Sequence, residues 1–407
     1  MTSLPHTPDV AALAVGEDFG ASIRDIPLVR PSVPDADVLA DDVRKILTSR
    51  VLTNGPYVRE FERRSAEYLD VRHCVAVASC TAGLMLVLRA ADLSGDVVVP
   101  SFTFAATAHA VAWNGLRPVF ADVDPETLTL PPSAVARTVG VRTSAILATH
   151  LYGTPCDVDG LAEIANRNGI RLFFDAAHAF GSKRRGVPVG GFGDAEVFSL
   201  SPTKVLIAGE GGLIATNDGA LAERCRIGRD YGNPGDYDMR FVGLNARMSE
   251  FHAAVALGSL DGLDERIERR NSSAEWYRRT LSRVPGIDFP EVPHGDRSTF
   301  KDFTILVDPE RFGLEAEALG RALAAVGIDT RRYYAPPVHE MQAYRGIGAI
   351  SGDLVATEVA SSRVLTLPLW SEMEQAEQGR IVEAIVRIRA FVTGNGDGVS
   401  EVVRAAF

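Results

Sequence analysis

Residues 171–181 read Arg171-Leu172-Phe173-Phe174-Asp175-Ala176-Ala177-His178-Ala179-Phe180-Gly181. Residues 194–204 read Asp194-Ala195-Glu196-Val197-Phe198-Ser199-Leu200-Ser201-Pro202-Thr203-Lys204, with Gly209-Glu210-Gly211-Gly212 close behind. Each stretch is a short apolar run that stops abruptly on polar or small residues. Such runs, bounded by turn residues, predict buried strands. Working outward, similar runs occur at His73–Ala78, Asp96–Val99, Arg117–Ala121 and Ser144–Thr149. Helix-period segments separate them, among them Ala82–Ala91, Ala106–Trp113 and Val158–Asn168. A βα alternation of this kind predicts an α/β fold with a mostly parallel sheet covered by helices on both faces.

Gly211–Thr216 reads as one more strand, following a glycine-rich turn and not a helix. After about Met248 the rhythm changes. Ser249–Glu268 predicts a long helix that Asn271–Val284 continues. Thr299–Val307, the helix Ala316–Val326, the strand Asp329–Arg332 and the helix Met373–Phe391 then predict a second, smaller α/β layer. The resulting division is a tail over 1–25, a large domain over 26–265 and a small C-terminal domain over 266–407. In open sheets ligands bind beyond the carboxyl ends of the strands, so the residues at those ends carry the functional reading.

Four strand ends stand out. Ala78-Ser79-Cys80-Thr81-Ala82-Gly83 places small residues at a helix start, where open backbone N–H groups suit a phosphate; an ordinary Ser/Thr helix cap explains it as well. Pro100-Ser101-Phe102-Thr103-Phe104-Ala105-Ala106-Thr107 offers an aromatic ring for stacking on a planar cofactor, or a core phenylalanine. Asp175 ends an apolar strand, where burying a carboxylate is costly without a partner. A protonated pyridine nitrogen is such a partner, and a cap on the following helix is the plainer alternative. Lys204, between a proline and a glycine-rich turn, suits either imine formation with an aldehyde or phosphate binding.

The ordered set narrows these choices. Leu52-Thr53-Asn54-Gly55-Pro56-Tyr57-Val58 with Phe61-Glu62, Pro100–Thr107, His150-Leu151-Tyr152-Gly153, Asp175–His178 and Phe198–Lys204 resemble the DegT/StrS family of nucleotide-sugar aminotransferases. So do Gly243-Leu244-Asn245-Ala246-Arg247-Met248-Ser249-Glu250, Arg332-Tyr333-Tyr334 with Pro337 and His339, and Leu365-Thr366-Leu367-Pro368. The resemblance runs from about Ile26 to the last helix. It implies a fold type I pyridoxal-phosphate transferase with a seven-stranded mixed sheet in the large domain.

The same resemblance implies residue roles. Lys204 carries pyridoxal 5′-phosphate as a Schiff base and moves the proton at the substrate carbon, the cofactor cycling through pyridoxamine 5′-phosphate. Asp175 pairs with the pyridine nitrogen and His178 reaches the phenolic oxygen. Phe104 stacks on the ring, and the backbone at Thr81 and Ala82 with the Ser199 hydroxyl holds the phosphate. Asn245 reaches the phosphate of a neighbouring subunit, which implies a homodimer with active sites at its interface. Arg247, Tyr334 and His339 are candidate substrate contacts; a structural ion pair, a core tyrosine and a capped surface histidine are the alternatives. Cys80 stands where the family often has glycine, and a small packed thiol is the reading for it. Dehydratase relatives carry histidine at the position of Lys204, so amino transfer is the expected reaction.

The expected donor is L-glutamate. His178, where C3-acting relatives more often carry glutamine, points to dTDP-4-keto-6-deoxy-D-glucose as acceptor, in deoxyaminosugar biosynthesis of the antibiotic-pathway kind. A 3-keto sugar or a keto-inositol is the alternative substrate, and a cofactor-bound regulator is the non-enzyme alternative.

Composition limits the rest. The 407 residues carry a formal net charge of -11, which argues against a nucleic-acid backbone as partner. No apolar run is long enough to span a bilayer. Four cysteines without CxxC or zinc-type histidine spacing predict reduced thiols and no metal site. The acidic segment before Asp25 has no basic region ahead of an apolar core and offers no room for a DNA-binding domain, so a cytoplasmic enzyme is expected.

Overall fold

The computed structural model describes residues 25–394. The expectation of a loose tail over 1–25 falls, except for Asp25, outside the described residues.

Seven strands of the N-terminal two thirds form where the apolar runs are: β1 His73–Val77, β2 Asp96–Pro100, β3 Arg117–Ala121, β4 Thr143–Thr149, β5 Arg171–Asp175, β6 Ala195–Ser199 and β7 Gly212–Thr216. Further along lie β8 Ile287–Asp288, β9 Phe303–Val307, β10 Ala349–Ile350 and β11 Val364–Leu367. The large sheet has eight strands in the order β1-β7-β6-β5-β4-β2-β3-β10. Its eighth member is the short β10, which comes from the C-terminal third and pairs in parallel with β3 (Ala349 to Val119, Ile350 to Phe120). No local pattern announces it, because two residues carry no periodicity. The second sheet, β8-β9-β11, is antiparallel.

The strands of the large sheet are buried along most of their length because helices cover both faces. Cys80–Ala90 and Ala105–Trp113 pack on one face through Leu84, Leu88, Ala108 and Val111. Pro132–Thr138 and Val158–Asn168 cover the other through Val135, Leu161 and Ala165. The second sheet has its own core with helices Ala316–Ala325, Gln375–Thr393 and part of Leu263–Leu281. Ile26 belongs to that core and bridges to Ile328. Among the described residues no helix is long and apolar enough to cross a membrane.

Strand direction decides where the chemistry gathers. β2, β4, β5 and β6 run parallel, so Pro100, Thr149, Asp175 and Ser199 end on one edge of the sheet. β7 is antiparallel to β6, and β1 is antiparallel to β7. Two reversals restore the direction, so β1 delivers Ser79, Cys80 and Thr81 to the same edge, while β7 begins there after Gly211. Gly212 passes directly beneath that turn. A Cβ on it would stand 2.5 Å from the Ser79 carbonyl carbon and 2.6 Å from the Cys80 nitrogen. The second glycine of the Gly211-Gly212 pair is therefore a packing requirement of the site.

Two expectations are corrected. The long helix over Ser249–Glu268 is two helices, Glu250–Leu260 and Leu263–Leu281, broken at Gly262 in the left-handed region (φ 66°). Asp329–Arg332 makes a single bridge, Arg331 to Thr366, and no strand.

The first residue of helix Glu250–Leu260 serves another element. Helix Pro56–Leu69 has no side-chain cap of its own at Gly55. The buried Glu250 carboxylate supplies one from 192 or more residues away, accepting the N–H groups of Gly55 (2.8 Å), Tyr57 (2.9 Å) and Val58 (3.0 Å). Replacing Glu250 by alanine strands those three donors, and a loss of about 2–4 kcal/mol in unfolding free energy is expected. Urea denaturation checks this; an unchanged midpoint would remove Glu250 from the account of stability.

Candidate active site

The common strand edge borders a cavity of about 320 Å³. Thr81, Phe104, Asp175, His178, Ser199, Lys204 and Tyr334 all line it. Residues from Thr81 to Lys204 meet because the strands that precede them end on one edge, and Tyr334 joins them from the C-terminal part of the chain.

Asp175 is 3 % exposed. Its Oδ2 accepts the Thr107 hydroxyl at 2.7 Å, and its Oδ1 accepts the Ala177 N–H at 3.1 Å. Thr107 in turn lies 3.0 Å from the Thr103 hydroxyl, which lies 3.0 Å from that of Thr149. This buried hydroxyl chain fixes the carboxylate plane. Burial raises the Asp175 pKa, and the Thr107 and Ala177 bonds oppose that rise. The Thr107, Ala177 and Cys80 donors to it are neutral, so a cationic ring nitrogen is the partner that would hold it ionised. Cys80 Sγ stands 4.0 Å from Oδ1, and burial keeps its thiol well above the usual range, hence protonated.

His178 Nδ1 accepts the Tyr152 N–H at 3.1 Å. The ring proton is therefore on Nε2, the tautomer that can donate to a phenolic oxygen. Burial, followed by the Lys204 and Lys301 charges, pushes His178 well below its ordinary pKa, so it stays neutral.

Lys204 follows β6, its N–H bonded to the Ser201 carbonyl at 3.0 Å. Burial and then the Lys301 charge lower its pKa to about 8. A neutral amine is the form that attacks an aldehyde, so capture of pyridoxal phosphate by the cofactor-free protein should rise about tenfold per pH unit below that value and level off above it. Stopped-flow absorbance reads the rate. A rise that continued unbroken toward an ordinary lysine pKa would show that the depression is absent.

Ser79 caps helix Cys80–Ala90, its Oγ accepting the Ala82 N–H at 3.1 Å. That bond uses the Ala82 donor, and Ala82 is not among the lining residues, which differs from the expected phosphate role. Ser79, Cys80 and Thr81 line the cavity instead, where the first-turn N–H groups lack intrahelical partners. With Ser199, Ser201 and Thr203 they make the hydroxyl-rich end that fits a phosphate. Phe104 is 59 % exposed with its ring 6.1 Å from Tyr334, so its face is open to a planar ligand. The residues present therefore fit pyridoxal phosphate in its phosphate, ring nitrogen, phenolic oxygen and aldehyde positions.

Three sequence candidates lie off this wall. Asn245 is exposed, and Arg247 is ion-paired to Asp230 and donates to the Asn245 side chain at 3.0 Å. His339 bonds the Ser101 hydroxyl at 2.6 Å through Nδ1. Conversely, Thr103, Thr107, Lys301 and Tyr333 were given no role by sequence, yet Thr103, Lys301 and Tyr333 line the cavity and Thr107 holds Asp175. The one signal for Lys301 was a charged Lys301-Asp302 pair directly before the apolar run Phe303–Val307. Among the described residues no group of three or more His, Cys, Asp or Glu could hold a metal ion.

The DegT/DnrJ/EryC1/StrS aminotransferase family profile matches residues 35–386. The structure of DesI, solved in the presence of its TDP-sugar product, resembles this one with a TM-score of 0.86 and 39 % sequence identity, covering 94 % of this chain and 97 % of that one. The dTDP-4-amino-4,6-dideoxy-D-glucose transaminase of Shigella dysenteriae is 32 % identical over 364 residues, 89 % of this chain and 98 % of that protein. The dTDP-3-amino-3,4,6-trideoxy-alpha-D-glucose transaminase of Streptomyces venezuelae is 35 % identical over 346 residues, 84 % and 90 % respectively.

Proposed function

The chain belongs to the DegT/DnrJ/EryC1/StrS aminotransferase family, and from that premise we propose that it moves the amino group of L-glutamate to C4 of dTDP-4-keto-6-deoxy-D-glucose, giving dTDP-4-amino-4,6-dideoxy-D-glucose. It is a pyridoxal-phosphate-dependent sugar aminotransferase of fold type I. The single observation carrying the chemistry is the convergence of Lys204, Asp175 and His178 on one cavity. The C4 assignment is supported by His178 in the Asp175–His178 motif and by the likeness to the Shigella dysenteriae transaminase.

Bound pyridoxal phosphate supplies an aldehyde that accepts amino groups and a ring that withdraws electrons from the reacting carbon. The protein does the rest. Lys204 holds the cofactor, and its neutral amine, once released, takes the proton from the donor α-carbon. In the second half it returns a proton to the sugar carbon. Asp175, oriented by Thr107, keeps the ring nitrogen protonated. His178 Nε2–H donates to the phenolic oxygen. Ser199 and the first turn of helix Cys80–Ala90 hold the phosphate. Asn245, which lies off this chain's own cavity wall, acts across the interface of a homodimer.

The test is spectroscopic and chemical. The yellow holoenzyme is expected to bleach with L-glutamate and to recover its colour with dTDP-4-keto-6-deoxy-D-glucose, with NMR of the product placing nitrogen on C4. Recovery only with a 3-keto sugar or a keto-inositol would overturn the C4 assignment. No bleaching with any amino acid would favour a cofactor-bound regulator.

A further inference from the structure

Lys301 has no assigned part in the chemistry above. It is 8 % exposed and lines the cavity from the segment leading into β9. Its Nζ lies 2.7 Å from Asp302 Oδ1 and 5.5 Å from the centroid of the Tyr333 ring. Its main chain is pinned from two sides. The Lys301 N–H donates to the Tyr152 carbonyl at 3.0 Å. The buried Arg270 guanidinium donates to the carbonyls of Lys301 and Phe300, each at 2.7 Å. Tyr152 is the same residue whose N–H fixes the His178 tautomer. Lys301 is thus held in register with the catalytic histidine by adjoining backbone bonds.

A buried ion pair is a weak source of stability, since desolvation offsets most of the attraction. This one is also incomplete. Asp302 is 5 % exposed and its Oδ2 has no hydrogen-bond partner. What the pair does achieve is a fixed position for the Lys301 ammonium on the cavity wall. An ammonium has three N–H donors, so one bond to Asp302 leaves capacity for another acceptor.

We propose that Lys301 binds the α-carboxylate of the amino donor, with Asp302 holding its ammonium in place. The proposal rests on the donor being an α-amino acid, as inferred above. The donor nitrogen must take the place of Lys204 Nζ, and its carboxylate then lies two bonds from that nitrogen. A fixed cation close to Lys204 is what such a carboxylate needs. Lys301 is close enough that its charge depresses both Lys204 and His178. Among the described residues, Lys204 and Lys301 are the cationic side chains on the cavity wall. Lys204 is already engaged in holding the cofactor and carrying the proton. Arg247, the sequence candidate for this task, is engaged by Asp230 off the wall. The keto sugar has no carboxylate, so Lys301 separates the two half-reactions: it serves the donor and not the acceptor. A nucleotide diphosphate is the other anion that enters this site, and binding measurements distinguish the two.

The experiment uses holoenzyme and α-methyl-L-glutamate, which keeps the α-carboxylate but lacks the proton that Lys204 removes. Calorimetry then reports binding without turnover, and dTDP is titrated in parallel. Lys301→Met is expected to weaken α-methyl-L-glutamate by roughly 30-fold, the loss typical of a charge-assisted bond, while dTDP stays within about twofold. Lys301→Arg should recover most of that loss. Because Lys301→Met leaves Asp302 alone, the double variant Lys301→Met/Asp302→Asn, which removes both charges, is measured alongside and should show the same selective loss. Unchanged α-methyl-L-glutamate binding in both variants overturns the proposal, as does an equal loss of dTDP binding. A wild-type protein that neither binds α-methyl-L-glutamate nor bleaches with L-glutamate instead overturns the donor assignment, an outcome separate from a failure of Lys301.

Discussion

Lys204→Ala is expected to lower amino transfer by roughly 10⁴-fold or more, because one side chain supplies both the covalent anchor and the proton carrier. The variant should fold normally, since Lys204 lies in a loop after β6 and its backbone N–H, not its amine, makes the bond to the Ser201 carbonyl. Pyridoxal phosphate would still enter, held by the phosphate turn, Asp175 and His178, but without the colour of the lysine-linked form. The measurement is single-turnover absorbance with L-glutamate together with a cofactor-binding titration. Turnover near the wild-type rate would refute the role given to Lys204. Failure to bind cofactor at all would show instead that the phosphate turn is insufficient without the covalent link.

Asp175→Asn should cost roughly 10³-fold in the same assay, in line with removal of a preorganised electrostatic group from a buried site. The amide keeps the shape and can still accept the Thr107 hydroxyl, so the fold is preserved and the loss is chemical. An amide does not hold the ring nitrogen protonated, and the pH dependence of the holoenzyme spectrum should shift accordingly. An unchanged spectrum with full activity would mean that Asp175 is merely a cap on the segment that follows β5. The buried hydroxyl chain through Thr107, Thr103 and Thr149 favours the chemical role, because a simple cap has no need of a second-oxygen partner, Thr107, that is itself held through Thr103 and Thr149 beyond two other strands.

Much of the site was legible in the residues. Apolar runs that end on Asp175 and Ser199 mark strands whose carboxyl ends face a ligand, and the glycine-rich turn after Lys204 marks a close backbone approach. Gly212 shows why: the adjoining turn leaves no space for a Cβ. Lys301 was missed since its segment reads as the start of an ordinary strand. Thr107 was missed because a threonine in a helix start is unremarkable until its partner is known. Ala82 was assigned a phosphate contact that the Ser79 cap takes for itself, a local competition for one N–H.

The sequence alone determined strands β1–β7, the helices between them and the small set of residues at the strand ends, because burial periodicity and turn chemistry are local properties. Family resemblance, carried by those same motifs, determined the cofactor and the reaction class. Only the tertiary structure decided the sheet order, with its two antiparallel reversals and the β10 edge. It also decided the Glu250 cap on a helix 192 or more residues away, the threonine chain behind Asp175 and the pinned Lys301. Each of these is a pairing between groups remote in sequence. Such pairings depend on how covered faces stack and where strands end, and no periodicity along the chain encodes them.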